Sequence, residues 1–265
     1  MLNRAVVIVL LIFPLLCQGQ QSDLLDNFLA TSPVQSSTAR VKLNDHISRL
    51  HAKRSQKELS FLHKIFWATQ KRFLKTYTPY EPFGELFESG KYDCLTATSL
   101  YSILLNEFNF DYSIVETNYH IFILVNTRQG EVLLETTDRY DGFVQDKAEI
   151  EKRIGTYRQN SVASSNVKSN YYLYSFDLYK KINSAQIAGL LHFNQAVKAF
   201  NNQDWRASAE QLDIARRTYD SQRIKELATL LIQSVPVEET DLRKDIIQRF
   251  KDYWMQDQQT IAAKR

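Results

Sequence analysis

Apolar residues recur at helical spacing from Val41 to about Tyr77, at Leu43, Ile47 and Leu50 and then at Leu62, Ile65, Phe66 and Phe73. No glycine or proline interrupts them, which predicts one long helix or two. Pro79 and Pro82 end that pattern. Residues 94–108 are then apolar almost all round a helix (Leu95, Leu100, Ile103, Leu104, Leu105), the mark of a buried helix. The period next shortens to two. Tyr112–Thr117, Tyr119–Asn126 and Glu131–Thr137 read as strands, with the turn Thr127–Gly130 between the last two. Residues 145–170 are polar, with Ser161–Ser169 read as a loop, and Tyr171–Tyr179 alternates aromatic and polar residues as a further strand would. From Ser184 the helical period returns and runs through Arg223–Ser234 to Glu239–Asp257. At the other end, residues 20–40 are polar and read as a short helix, Asp23–Ala30, followed by a linker.

In the first two C-terminal helices, Trp205, Ala209, Leu212 and Ala215 answer Ala196, Ala199 and Phe200 across the turn Asn201–Asp204. Small alanines facing aromatics in this way resemble a tetratricopeptide helix pair. One such pair is too few for an independent array, which needs about three repeats. It reads instead as a subdomain packed on the rest of the chain.

Composition narrows the class. The 265 residues carry 44% hydrophobic and 24% charged side chains, ordinary for a globular chain, and only seven glycines and five prolines, which suits long helices. A net charge of +3 argues against a nucleic-acid binder driven by bulk charge. Residues 5–16 form an apolar run of twelve behind Arg4, and Cys17 and Gly19 stand at −3 and −1 from a cut before Gln20. This pattern predicts a secretory signal peptide and an exported, periplasmic or secreted product. The run is shorter than the roughly 20 residues of a membrane span. An uncleaved anchor and a lipid-attached Cys17 are the rival readings. With residues 1–19 removed, Cys94 is the single cysteine left, so no internal disulfide forms.

Charge is unevenly spread. Residues 40–75 hold ten lysines and arginines and two acids, a local +8, whereas residues 81–153 hold fourteen acids and six bases, a local −8. The basic stretch has three readings: contact with an anionic surface, a solvated helix face, or docking on the acidic part of the same chain, with flanking helices that cover the site until a partner moves them.

Three features point to chemistry. Cys94 follows Asp93, a ready N-cap, and so lies on the first turn of the buried helix. His120 opens a strand, and an acid follows on the next strand, Glu135 or Asp138. These are a nucleophile, a base and an orienting carboxylate. A helix N-terminus and an imidazolium favour a thiolate, while Asp93 opposes it. If Asn126 pairs with Glu131, Glu135 shares the face of His120; a register slipped by one residue brings Asp138 there instead. The other histidines offer no metal site: His46, His51 and His63 have poor ligand spacing on a basic, exposed helical stretch, and His192 reads as packing. Phosphate-binding glycine loops, HExxH and GxSxG are absent from the sequence.

Gly90-Lys-Tyr-Asp-Cys94 with its apolar helix, then Tyr119-His120-Ile-Phe-Ile, then Leu134-Glu135-Thr136-Thr137, resembles the transglutaminase-like cysteine superfamily over roughly residues 80–145. Glu135 stands where that family usually has Asp, and Leu95 where an aromatic commonly follows the nucleophile. The resemblance implies an α+β protein with a papain-like core, a Cys-led helix packed on an antiparallel sheet, with flanking helices and a C-terminal tetratricopeptide-like subdomain. It implies amide hydrolysis or acyl transfer through a thioester on Cys94, with His120 as general base and acid and Glu135 orienting it. Glu135 is the choice over the alternative Asp138. A protein or peptide substrate is implied, and no cofactor or metal. The division expected is a signal peptide (1–19), a basic helical arm (20–78), the transglutaminase-like core (79–182) and a helical subdomain (183–265) able to meet a protein partner. The alternative is a non-catalytic scaffold or protein-binding module on the same fold.

Overall fold

The computed structural model describes residues 24–33, 36–118, 120–163, 179–253 and 255. The apolar run with Cys17 and Gly19 lies outside these residues, as do Tyr119, most of the loop expected at Ser161–Ser169, most of the strand expected at Tyr171–Tyr179, and the end of the last helix.

The fold is α+β. After α1 (24–30) come α2 (Ala39–His51) and α3 (Glu58–Phe73), two helices where the sequence allowed one or two. A two-residue parallel ladder, β1 (Thr76–Tyr77) with β2 (Lys91–Tyr92), frames the short α4 (Glu85–Glu88) and leads into α5 (Cys94–Glu107). The main sheet is antiparallel, in the order β6-β5-β4-β3-β7, from β3 (Asp111–Thr117), β4 (Ile121–Thr127), β5 (Gly130–Leu134), β6 (Phe143–Val144) and β7 (Tyr179–Ile182). Between β6 and β7 lies α6 (Lys147–Ala163), a helix formed by a stretch whose polar composition predicts none. Four helices close the chain: α7 (Ser184–Asn201), α8 (Trp205–Thr218), α9 (Gln222–Ser234) and α10 (Thr240–Arg249).

Strand alternation sorts the core into two layers. Ile121, Ile123, Val125, Val132 and Leu134 join α5 in the main core, which also takes in the apolar faces of α2 and α3. Phe122, Leu124 and Leu133 point to the other face, where Ile150, Ile154 and Tyr157 of α6 cover them. That is why α6 forms: Ile150, Ile154 and Tyr157 recur at helical spacing and have an apolar sheet face to bury against. The tightness of α5 follows from its own apolar circumference, with Leu95 through Leu105 all buried. Among the described residues no helix is long and apolar enough to cross a membrane.

The basic segment 40–75 is docked through apolar contacts. Leu43, Ile47, Leu50, Phe61, Leu62, Ile65 and Phe66 enter the main core. Its arginines pair with Asp26 and Asp45, while the acidic stretch 81–153 is met by His51, whose Nε2 lies 2.9 Å from Glu107 Oε1, and by Lys42, which donates to the Phe87 carbonyl at 2.6 Å. His46, expected to be exposed, is buried: its Nε2 lies 3.0 Å from Thr69 Oγ1 and its ring packs edge-on to Phe73.

The C-terminal helices have a core of their own, in which Ala196, Ala209, Leu212 and Ala215 meet Ile224, Ala228 and Leu231. Helix α7 belongs both to the main core and to this C-terminal core. Ile187, Leu190 and Leu191 sit in the main core and Phe193 and Ala196 in the second, so one helix carries the joint. Gly189 makes close passage possible there, because a Cβ at that position would stand 2.7 Å from Tyr219 Cβ.

Candidate active site

Asp93 caps α5 as the sequence predicts. Its Oδ1 accepts from the Thr96 N–H at 2.8 Å, and Thr96 Oγ1 accepts from the Asp93 N–H at 2.8 Å, a reciprocal capping box. This cap fixes Cys94 as the first residue of the helix. The carboxylate is buried, and its other oxygen accepts from Asn194 Nδ2 of α7 at 2.8 Å.

His120 lies one residue before β4, and Glu135 one residue after β5, so both stand at strand ends rather than within strands. Register brings them together: Asn126 pairs with Glu131 and Ile123 with Leu134, the pairing under which Glu135 shares the His120 face. Glu135 Oε2 meets His120 Nε2 in a short hydrogen bond. The other oxygen, Oε1, accepts from Thr137 Oγ1 at 2.6 Å and from the Thr137 N–H at 3.2 Å. The turn after Glu135 closes tightly, with its N–H donating to the Gly142 carbonyl at 2.7 Å. Asp138 is placed elsewhere. Its Oδ1 caps the N–H groups of Tyr140 and Asp141, and its Oδ2 meets Arg153 at 3.3 Å.

Cys94 and His120 line one cavity of about 800 Å³, although among the described residues no hydrogen bond joins them. One side is the core, with Asp93, Glu116 and Ile121; the other is α7 and α9 of the C-terminal layer, with Phe193, Val197, Leu227 and Leu230. Residues of α2 and α3 do not appear among those that line it. Tyr77 and Tyr80 stand at the edge, both exposed. Tyr80 has φ +59°, a left-handed conformation that a bulky side chain rarely takes and that concentrates at functional sites. The turn is clamped from two sides, by the Asp93 carboxylate on its N–H and by Gln195 Nε2 near its carbonyl at 3.5 Å.

Electrostatics differ from the expected lowered thiol. Burial first, and then the carboxylates of Asp93 and Glu135, push the Cys94 thiol up, while the Arg223 guanidinium and the Leu95 N–H pull it back only in part. The resting group is therefore the neutral thiol, because desolvation and two nearby anions outweigh the helix N-terminus. Asp93 itself is pushed up to about 6 by burial, against the donors of Thr96, Leu95 and Tyr80. For Glu135, burial acts upward, but the His120 hydrogen bond and charge and the Thr137 donors together hold it below the usual carboxylate range.

Several residues of this neighbourhood are silent in a sequence read for motifs. Tyr157 of α6 donates to Glu135 Oε2 at 2.9 Å and packs against the His120 ring, with centroids 5.0 Å apart. Its helical spacing from Ile150 and Ile154 was the available signal. Glu116 at the end of β3 is buried beside Arg223 of α9, with Nε and Oε1 2.9 Å apart, and accepts from Tyr219 at 2.6 Å. Arg223 also donates to the carbonyls of Thr117 and Asn118, at 2.7 and 3.4 Å, just ahead of His120. No sequence signal joins residues more than a hundred positions apart. Among the described residues no group of three or more His, Cys, Asp or Glu side chains is arranged to hold a metal. His192 pairs with Gln211 at 2.8 Å.

No family model, curated protein or solved structure matches this chain.

Proposed function

We propose that this chain is a thiol-dependent amide hydrolase or acyl transferase with a transglutaminase-like, papain-like core, acting on a protein or peptide after export. The observation that carries the reading is the His120–Glu135 couple at the edge of a cavity that also holds Cys94. Supporting it are the Cys-led helix against an antiparallel sheet and the close packing of α7 on α8, where Ser208 Oγ donates to the Ala196 carbonyl at 3.0 Å.

With Nε2 of His120 turned to an ionised Glu135, Nδ1 is the ring nitrogen left to accept a proton. Cys94 Sγ attacks the amide carbonyl carbon and gives its proton to that nitrogen. The oxyanion forms at the amide end of α5. The C–N bond then breaks, and the leaving amine takes the proton from His120, which leaves a thioester. Water or a second amine gives its proton to His120 and attacks the thioester; the C–S bond breaks and the thiol regains the proton. Because the resting thiol is neutral, His120 works as a general base during attack rather than as the partner of a preformed ion pair.

The raised thiol also suits a second reading, a non-catalytic scaffold or protein-binding module on the same fold, in which Cys94 is inert. One experiment separates the two. The mature protein is mixed with an activated ester such as p-nitrophenyl acetate, and the Cys94 acyl adduct is followed by intact mass alongside His120→Ala, Glu135→Gln and Cys94→Ala. Catalysis predicts a hydroxylamine-sensitive adduct that forms in the native chain, slows in the His120 and Glu135 variants and vanishes without Cys94. Equal adduct formation with and without His120 favours the scaffold.

A further inference from the structure

We infer that the acyl donor is a neutral, apolar peptide segment, and that helices α7 and α9 are the wall that reads it. The inference rests on the reading of Cys94 as nucleophile and names the substrate class of that same site.

Two observations carry it. The first is the surface the C-terminal layer presents. Helix α9 turns Ile224, Ala228, Leu231 and Ile232 into its own core, yet Leu230 stands on the cavity, half-buried, with Leu227 beside it. Helix α7 adds Phe193 and a half-buried Val197. Across the cavity, Tyr77 and Tyr80 present aromatic rings at its edge, on a turn held in a strained conformation by Asp93 and α7. Apolar and aromatic walls continuous with the thiol bury an apolar side chain of the substrate on either side of the scissile amide. A cavity of about 800 Å³ is in the range that encloses a short peptide segment.

The second observation is charge. Among the described residues lining the cavity, Arg223 is the lysine or arginine present, and it is committed to Glu116 and to the carbonyls of Thr117 and Asn118. Asp93 and Glu116 are buried carboxylates. A substrate carboxylate or phosphate entering here loses its water, meets two acids and finds the guanidinium already engaged, a strongly unfavourable exchange. A polysaccharide meets too much hydrocarbon. A peptide main chain, by contrast, finds hydrogen-bonding side chains on the same two helices, in Asn201 and Ser234.

The test uses capped tripeptidyl acyloxymethyl ketones of equal length, one apolar and one acidic, an octanoyl reagent, and iodoacetamide as a small probe indifferent to the walls. Cys94 labelling in the mature protein is read by intact mass. The apolar peptidyl reagent, scaled to iodoacetamide, outpaces the acidic one by at least about tenfold. Leu230→Asn and Val197→Asn lower that advantage by a similar factor without adding a charge near the thiol; each rate is scaled to iodoacetamide in the same variant, and circular dichroism reports that the variants are folded. In Cys94→Ala, fluorescence anisotropy shows the same ranking for the corresponding labelled peptide amides, so recognition is read without any thiol chemistry. Equal rates and equal binding for the acidic and apolar peptides overturn the inference, as does an octanoyl reagent that outpaces the peptidyl one. If thiol labelling is independent of His120 while Cys94→Ala still prefers the apolar peptide, the catalytic reading fails and the apolar-peptide site stands as a binding site.

Discussion

Tyr157 donates its phenolic hydrogen to Glu135 Oε2 at 2.9 Å, the same oxygen that meets His120 Nε2. Its ring also packs on His120 and on Phe122, at centroid distances of 5.0 and 5.2 Å. One helix on the far face of the sheet thus sets the position of the acid and of the ring it orients. Tyr157→Phe keeps the ring and removes the hydroxyl. Loss of a charge-assisted hydrogen bond of about 1.5 kcal/mol lowers the Cys94 acylation rate by about tenfold. KM stays unchanged, and the acid limb of the pH–rate profile moves to higher pH, because a donor that favours the ionised Glu135 is gone. A uniform loss of folded protein without movement of the acid limb would assign Tyr157 to packing alone.

Gly142 holds the turn on which Glu135 depends. A Cβ there would stand 2.2 Å from the carbonyl oxygens of both Glu135 and Asp138 and 3.0 Å from the Phe66 ring. Neither carbonyl is free to give way, since both belong to the turn that closes on Gly142. Gly142→Ala therefore shifts the Glu135 backbone, with a stability loss of about 2 kcal/mol and loss of His120-dependent acylation. Chemical denaturation and the ester-adduct assay read the two effects separately.

Asp93 joins the nucleophile to the C-terminal layer through Asn194. Asp93→Asn keeps an N-cap residue and removes a negative charge beside Cys94, so iodoacetamide labelling of Cys94 begins at lower pH than in the native chain. The same variant changes stability with a definite sign. The folded carboxyl, at about 6, lies above its unfolded value of 3.8. Its contribution is fully present below pH 3.8 and is lost as pH rises through about 6, and Asp93→Asn removes that decline. Urea midpoints measured between pH 4 and 7 in both proteins show it.

His46 acts in the opposite direction. Burial first, with help from the Arg72 charge, lowers it from 6.5 to about 4. The unfolded chain therefore binds a proton that the folded one refuses. Stability from His46 is fully present above pH 6.5 and is lost as pH falls through about 4, a change on the order of 3 kcal/mol. His46→Gln retains an amide able to bond Thr69 and does not titrate. Its stability falls less steeply on acidification, and equal slopes in the two proteins would show that His46 is not responsible.

The basic segment is held by hydrocarbon, so salt leaves it in place. Leu43, Leu50, Leu62, Ile65 and Phe66 are buried, and its arginines' ion pairs with Asp26 and Asp45 lie at the surface, where water and salt screen them. Limited proteolysis across 40–75 shows the same protection at 0.05 M and 1 M NaCl, an approximately threefold change in Debye length or more. Cleavage that appears only at high salt would restore docking by the opposed charges.

Periodicity determined much of this molecule. It placed α5, the strands β3, β4 and β5, and helices α7, α8 and α9 within a few residues, because each buries one continuous apolar face and the spacing of that face is written in the chain, whereas α10 ends at Arg249, short of the expected Asp257. Asp93 declared itself as a cap through local chemistry alone. Cys94, His120 and Glu135 were legible as candidates, but their geometry was not. A slip of one residue in the β4–β5 register would have exchanged Glu135 for Asp138, and only the pairing of Asn126 with Glu131 decided between them. Helix α6 stayed hidden because its apolar face is narrow and acquires meaning only against Phe122 and Leu133. Tertiary structure alone brought Asn194 to Asp93 and Arg223 to Glu116, and made α7 and α9 a wall of the Cys94 cavity. It also reversed the expected sign at Cys94, since the helix N-terminus is a local effect and desolvation depends on everything packed around the thiol.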